Sequence, residues 1–158
     1  MSDRSDIHIR EASPTDLPAI ALMIRELAEY EERLDDVTWS TEELGREIFG
    51  DGAVPNVLLA TLNGSEVLGM ALYFSTFSTF RGKAGIWLED LFVKSDYRGR
   101  GVGRALLESI RDRTDQRVEW NVLDWNVSAQ GFYSKLGAFP MGEWTTWRWL
   151  PDGEIPER

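Results

Sequence analysis

Glu89, Asp90, three arginines and three glycines lie within the stretch Trp87 to Leu107 (WLEDLFVKSDYRGRGVGRALL), and their order suggests what they can do. In the run Arg98-Gly99-Arg100-Gly101-Val102-Gly103-Arg104 the glycines let backbone N–H groups converge without Cβ obstruction. The helix that this run opens offers unsatisfied N–H donors at the positive end of its dipole. Such a place binds phosphate, and Arg98, Arg100 and Arg104 add positive charge beside it. No GK[ST] ending follows, which excludes a P-loop. A Rossmann fingerprint fits poorly, because the strand before the loop follows a meander of strands instead of opening the chain. Glu89 and Asp90 sit within that strand, Ile86 to Val93. On an ideal strand their side chains point to opposite faces, so both reach one site only if the strand splays or bulges.

The elements that position these residues can be read in chain order. Ile7 to Arg10 alternates as an opening strand, and Ser13-Pro14-Thr15-Asp16 reads as a helix start with Ser13 as N-cap. Leu17, Ile20, Ala21, Ile24, Leu27 and Ala28 recur at helical spacing, predicting an amphipathic helix to about Glu32. Its end is acidic: Glu29, Tyr30, Glu31 and Glu32 stand where the dipole is already negative, either as a solvated end or because the carboxylates have a task elsewhere. Ser40 with Glu43 makes a capping box for a second short helix ending near Gly50. Val57 to Leu62 and Glu66 to Phe77 form a hairpin through Asn63-Gly64, with Gly69 suggesting a bulge. Phe77 and Phe80 in the next connection suit either core or a ligand groove.

After the glycine loop a helix runs from Gly103 to about Asp112, and Arg117 to Val122 reads as a fifth strand. Asn126 is placed to cap a helix over Ser128 to Leu136 that Gly137 ends. Ala138 to Pro140 and Glu143 to Leu150 read as two last strands, the second carrying Trp144, Trp147 and Trp149; Pro151 to Arg158 reads as a frayed tail. This order predicts one domain, residues 1–158 with an ordered core over about 7–150, of the α/β (α+β) class with helices on both faces of a mixed sheet.

Seventeen basic against 27 acidic residues give a net charge of −10, which argues against nucleic acid and is compatible with a cationic ligand. No apolar run approaches the ~20 residues that span a bilayer, and the first ten residues show no signal sequence, so the expectation is a cytoplasmic protein away from membranes. The absence of cysteine removes an acyl-cysteine route and a thiolate metal site; with His8 as the single histidine, no metal is expected.

The R-x-x-G-x-G spacing at Arg98, Gly101 and Gly103 resembles the acetyl-CoA pyrophosphate loop of the GNAT superfamily of N-acetyltransferases. Leu88-Glu89-Asp90-Leu91-Phe92-Val93, followed by Ser95-Asp96-Tyr97-Arg98-Gly99, is similar to the spermidine/spermine acetyltransferase branch. A second segment, Asn126 to Ala138, follows the superfamily's N-x-x-A-x-x-F-Y-x-K-x-G pattern. The resemblance covers about Ile7 to Leu150. It implies a mostly antiparallel twisted sheet with a central splayed strand, a homodimer, and transfer of acetyl from acetyl-CoA to a primary amine by direct attack in a ternary complex.

Residue by residue, the resemblance implies that Leu91, Phe92, Val93, Arg98, Gly99, Arg100, Gly101, Val102, Gly103, Arg104, Asn126 and Tyr133 contact the cofactor. An exposed N–H of Phe92 or Val93 would polarise the thioester carbonyl. An aliphatic ammonium has a pKa of about 10 and is no nucleophile, so a base must take its proton; the resemblance gives that task to Glu89. Tyr133 would protonate the departing thiolate, although a Phe-Tyr pair on a helix also serves simple packing, and Asn126 also serves as a cap. Tyr30, Glu31, Glu89 and Asp90 would face the amine. Arg33, Arg81 and Lys83 depart from a polyamine pattern, since cations repel a polyamine. The acceptor is therefore a small amine, polyamine or diamine first; the alternatives are a lysine-like amino acid whose carboxylate meets Arg33 or Arg81, and a non-catalytic acyl-CoA-binding module.

Overall fold

The computed structural model describes residues 6–151 and 153, so most of the predicted tail over 151–158 lies outside the described residues. The chain divides into two compact units, Met1–Asn121 and Val122–Arg158. The first contains a five-stranded sheet in the order β1-β2-β3-β4-β5. These strands are β1 (Ile7–Glu11), β2 (Asn56–Leu62), β3 (Glu66–Ser78), β4 (Lys83–Val93) and β5 (Val118–Glu119). Pairing is antiparallel from β1 to β4, and β4 pairs with β5 in parallel. A parallel pair needs a crossover, which α3 (Val102–Arg111) supplies. The fold class is as the sequence predicts.

Helix α1 (Leu17–Tyr30) starts after a 3-10 turn over Pro14–Asp16. Asp16 closes that turn by accepting from the Ser13 N–H at 2.8 Å and from Ser13 Oγ at 3.1 Å. Arg10, on β1, grips the same carboxylate with two N–H groups at 2.8 and 2.9 Å, tying strand to helix. Helix α2 (Thr41–Phe49) has the predicted capping box: Ser40 Oγ accepts from Glu43 N–H at 3.2 Å, and Glu43 accepts from Ser40 N–H at 2.7 Å. Ile20 and Met23 of α1 and Ile48 of α2 pack on Val57, Leu59, Met70, Leu72 and Phe92 from the sheet. Leu58 and Ala60 alternate with these to the opposite face, which α3 covers with Val102, Leu106, Leu107 and Ile110.

Asn63 and Gly64 both take positive φ, the primed turn their sequence predicts. The β2/β3 register shifts between Ala60 and Thr61, beside Gly69. The reason for Gly69 itself is proximity: a Cβ there would stand 2.5 Å from the Phe92 carbonyl oxygen of β4.

Strand β5 is shorter than the predicted Arg117 to Val122, because only Val118 and Glu119 find a ladder partner. In the second unit, Asn126 caps α4 (Val127–Lys135) through its Oδ1, which accepts from Ala129 N–H at 3.2 Å. Gly137, at φ 89°, ends the helix. The two last strands predicted over 138–150 are not formed among the described residues. A strand exists by its neighbour's hydrogen bonds, and this stretch has turns instead, such as Trp144 N–H to Met141 O at 3.4 Å. Trp144, Trp147 and Trp149 are 75%, 92% and 94% exposed, so they do not close the core.

Candidate active site

The register of β4 against β3 changes once, where Leu72 faces Asp90 but Tyr73 faces Leu88. Glu89 is therefore the extra residue of a β-bulge, and the period-two rule that would send Glu89 and Asp90 to opposite faces is broken there. Asp90 stands on the α1 face, across from Leu72 of the core. Glu89 turns back along its strand so that Oε2 accepts the Trp87 indole N–H at 2.8 Å.

A third carboxylate arrives from α1. Glu31 caps the C-terminal end of that helix, where the dipole is already negative. Burial raises its carboxyl above the ordinary range, and Arg33 lowers it by a smaller amount. Asp90 feels both neighbours. Its carboxyl is pushed up to about 7, first by burial and then by the charges of Glu89 and Glu31. Three acids thus share one locality with little cation to offset them. Arg33 is engaged with Asp36 at 2.6 Å, which leaves it poorly placed for the carboxylate-binding role its sequence position allows.

The same stretch of β4 presents free backbone. Strand β5 pairs only with Ile86 and Trp87, so from Leu88 to Val93 the far edge of β4 has no ladder partner among the described residues. This is the splay that the resemblance implies. Lys94 N–H donates to Leu68 O at 2.9 Å, and alternation from that bond commits the Phe92 N–H to β3. The N–H groups of Leu91 and Val93 consequently point to the open edge. Between the two residues offered by the sequence as a carbonyl-polarising donor, geometry selects Val93.

The glycine loop lies just beyond. After a 3-10 turn at Ser95–Tyr97, Gly99 and Gly101 adopt positive φ of 74° and 85°, and Gly101 serves as the N-cap of α3. A glycine cap leaves the first N–H groups of α3 without a side-chain acceptor, the arrangement a diphosphate fits. The three arginines differ in their engagements. Arg98 donates through Nε to the Val93 carbonyl at 2.9 Å, with its guanidinium 5.2 Å from the Tyr30 ring and 5.7 Å from that of Phe92. Arg100 lies 5.5 Å from the Tyr97 ring, and Arg104 pairs with Glu108 at 2.6 Å. Arg104's charge is thus partly spent within its own helix.

A cavity of about 370 Å³ opens between the end of α1 and the end of β4, lined by Glu26, Glu29, Tyr30, Phe92, Lys94, Ser95, Asp96 and Arg98. It joins predicted residues of both classes, Tyr30 from the acceptor side and Phe92 and Arg98 from the cofactor side. Sequence reasoning missed Trp87, Lys94 and Glu26. The signal for Trp87 was available, since residues two apart on a strand share a face. In the second unit, Tyr133 lies on α4 with its ring 5.2 Å from that of Phe132, so the packing contact is present whatever else the phenol does.

A sheet whose fourth strand bulges and frees one edge, followed by a glycine loop that opens a helix, is the frame of an acyl-CoA-dependent transferase. The profile of the Acetyltransferase (GNAT) family matches residues 21–138. The chain belongs to that family and is an acetyltransferase, and the family uses acetyl-CoA as co-substrate. The thialysine N-epsilon-acetyltransferase of Bos taurus is 36% identical over 152 residues, covering 89% of each chain. The spermidine/spermine N(1)-acetyltransferase-like protein 1 of Homo sapiens is 31% identical over 149 residues, 88% of this chain and 21% of that one. Among solved structures, an integron cassette protein from V. cholerae superposes with a TM-score of 0.78 at 25% identity, covering 94% of each chain.

Proposed function

We propose that the protein transfers acetyl from acetyl-CoA to the terminal primary amine of a small aliphatic molecule that carries a second charged group, a diamine or polyamine first. The observation that carries this reading is the cluster of Glu31, Glu89 and Asp90 beside the open edge of β4. The charges of Glu89 and Glu31 raise the proton affinity of Asp90; such a cluster favours an arriving cation, and an alkylammonium supplies it. A carboxylate of the bulge removes one proton from the ammonium. The free amine attacks the thioester carbonyl, whose developing negative charge the Val93 N–H receives. Tyr133 gives its proton to the departing thiolate and regains one from the tetrahedral nitrogen, so products are the amide and CoA thiol. Asn126 contacts the pantetheine arm.

The thialysine acetyltransferase relatives favour a second reading, in which the acceptor is the side-chain amine of an amino acid. Arg81, on the β3–β4 hairpin, is then the cation for its carboxylate. Both readings share one domain over residues 1–158, supported by a family match that spans both units. Both readings carry the expectation of a cytoplasmic location; no helix among the described residues is long and apolar enough to cross a membrane. A homodimer would cover the exposed tryptophans of residues 144–149.

Release of CoA thiol from acetyl-CoA, followed with putrescine, spermidine, spermine, lysine and thialysine, tests the proposal. Turnover of diamines and polyamines, reduced in Tyr133→Phe, is the expected result. Turnover of thialysine alone, weakened by Arg81→Ala, would establish the second reading, and no turnover of any amine would overturn both.

A further inference from the structure

The bulge sets two carboxylates side by side in unlike surroundings. Glu89 is exposed, and one of its oxygens is occupied by the Trp87 indole N–H at 2.8 Å. Asp90 is half-buried beside the α1 face of the core, across the ladder from Leu72. Of the charged groups around Asp90, its own strand contributes Glu89 and α1 contributes Glu31. The facing residue of β3 is the uncharged Leu72. Two cations of this region are committed elsewhere: Arg33 to Asp36, and Arg98 to the Val93 carbonyl between the Tyr30 and Phe92 rings. Asp90 therefore faces negative charge from two elements, while Arg33 and Arg98 are engaged elsewhere.

We infer that Asp90, and not Glu89, accepts the proton that the acceptor ammonium must lose, and that Trp87 is a positioning residue that aims Glu89 at the acceptor's positive charge. The inference rests on the amine-acetylation reading and deepens it. One N–H bond of the ammonium breaks with its electron pair left on nitrogen, and one O–H bond forms on Asp90. The products of this step are a neutral amine and a neutral carboxylic acid. Asp90 returns its proton to water once the amide has left. A buried carboxyl among like charges is a stronger base than an ordinary carboxylate near 4, and its affinity for protons lies close to working pH. Glu89, fixed by Trp87 and open to solvent, suits the holding of charge.

The pH dependence of kcat/KM for putrescine and thialysine separates the two acids. The wild type is expected to lose activity as pH falls through about 7, the value to which Asp90 is pushed. Asp90→Asn should lower kcat/KM about 100-fold or more and abolish that limb. Glu89→Gln should keep the limb and raise the amine KM about tenfold, and Trp87→Phe, which keeps an aromatic ring but removes the indole N–H and part of the ring, should raise it about threefold with kcat retained. A second readout needs no acetyl-CoA. Calorimetry of amine binding near pH 6.5, in buffers of different ionisation enthalpy, should show proton release by wild type and Glu89→Gln and none by Asp90→Asn. An acidic limb or proton release that disappears in Glu89→Gln and survives in Asp90→Asn overturns the inference. Wild type that turns over no amine overturns instead the acetyl-transfer reading beneath it.

Discussion

The two ends of helix α1 treat their carboxylates in opposite ways. At the start, Asp16 accepts two N–H groups from Arg10 and one from Ser13, and the Arg10 guanidinium holds its carboxyl well below the usual range. At the other end, Glu31 lies against the negative pole of the dipole, near Glu89 and Asp90, and burial drives the carboxyls of Glu31 and Asp90 upward. One end satisfies its acid from within the chain. The other collects acids that the chain leaves for an outside cation, which is how a binding site differs from a structural cap.

That contrast can be broken at several points. The largest effect is the loss of about 100-fold or more in kcat/KM expected of Asp90→Asn, read from thiol release. Next, Gly69→Val should destabilise the fold by about 3 kcal/mol in denaturant unfolding, since its Cβ would meet the Phe92 carbonyl oxygen behind the same strand. Asp16→Asn removes the satisfied end of α1 and should cost about 1–2 kcal/mol at pH 7, a figure discounted for a pair in which Arg10 remains partly exposed. The sign with pH follows. The folded pKa of Asp16 is depressed, so its contribution is present above the unfolded value of about 4 and is lost as pH falls through the folded value. Asp16→Asn and wild type should therefore converge in stability under acid. The smallest effect is Ser40→Ala, about 1 kcal/mol from the capping box of α2, with kcat and KM unchanged.

The legible parts of the molecule were those whose cause is local. The Ser40–Glu43 box, the Asn63-Gly64 turn, the Asn126 cap and the Gly137 stop each lie within a few residues of their partners. The glycine loop was legible for the same reason, since positive φ at Gly99 and Gly101 needs no distant contact. Glu89 and Asp90 could be picked out together, but how they are oriented depends on the β3 register, where Tyr73 faces Leu88. The choice of Val93 over Phe92 likewise required knowing which N–H the ladder consumes. The final strands failed because alternation of aromatic residues over 143–150 describes a face and cannot supply the neighbour that makes it a strand. Arg33 showed the same limit, its ion pair with Asp36 removing a cation that sequence alone had left free.

The acids at the end of α1 and the bulge of β4 form an unmet demand for a cation. Denaturant stability of wild type and Asp90→Asn, measured at pH 4 and pH 8.5, tests it most directly. A carboxyl whose folded pKa is raised to about 7 makes the folded state bind more protons than the unfolded one between about 4 and 7. Stability is therefore lost as pH rises through that window. The expected result is that the two proteins are alike at pH 4 and that Asp90→Asn is the more stable by about 2 kcal/mol at pH 8.5, with putrescine narrowing the gap by stabilising the wild type. An Asp90→Asn protein less stable than wild type at pH 8.5 would show that the chain already satisfies this carboxylate and leaves no demand for an outside cation.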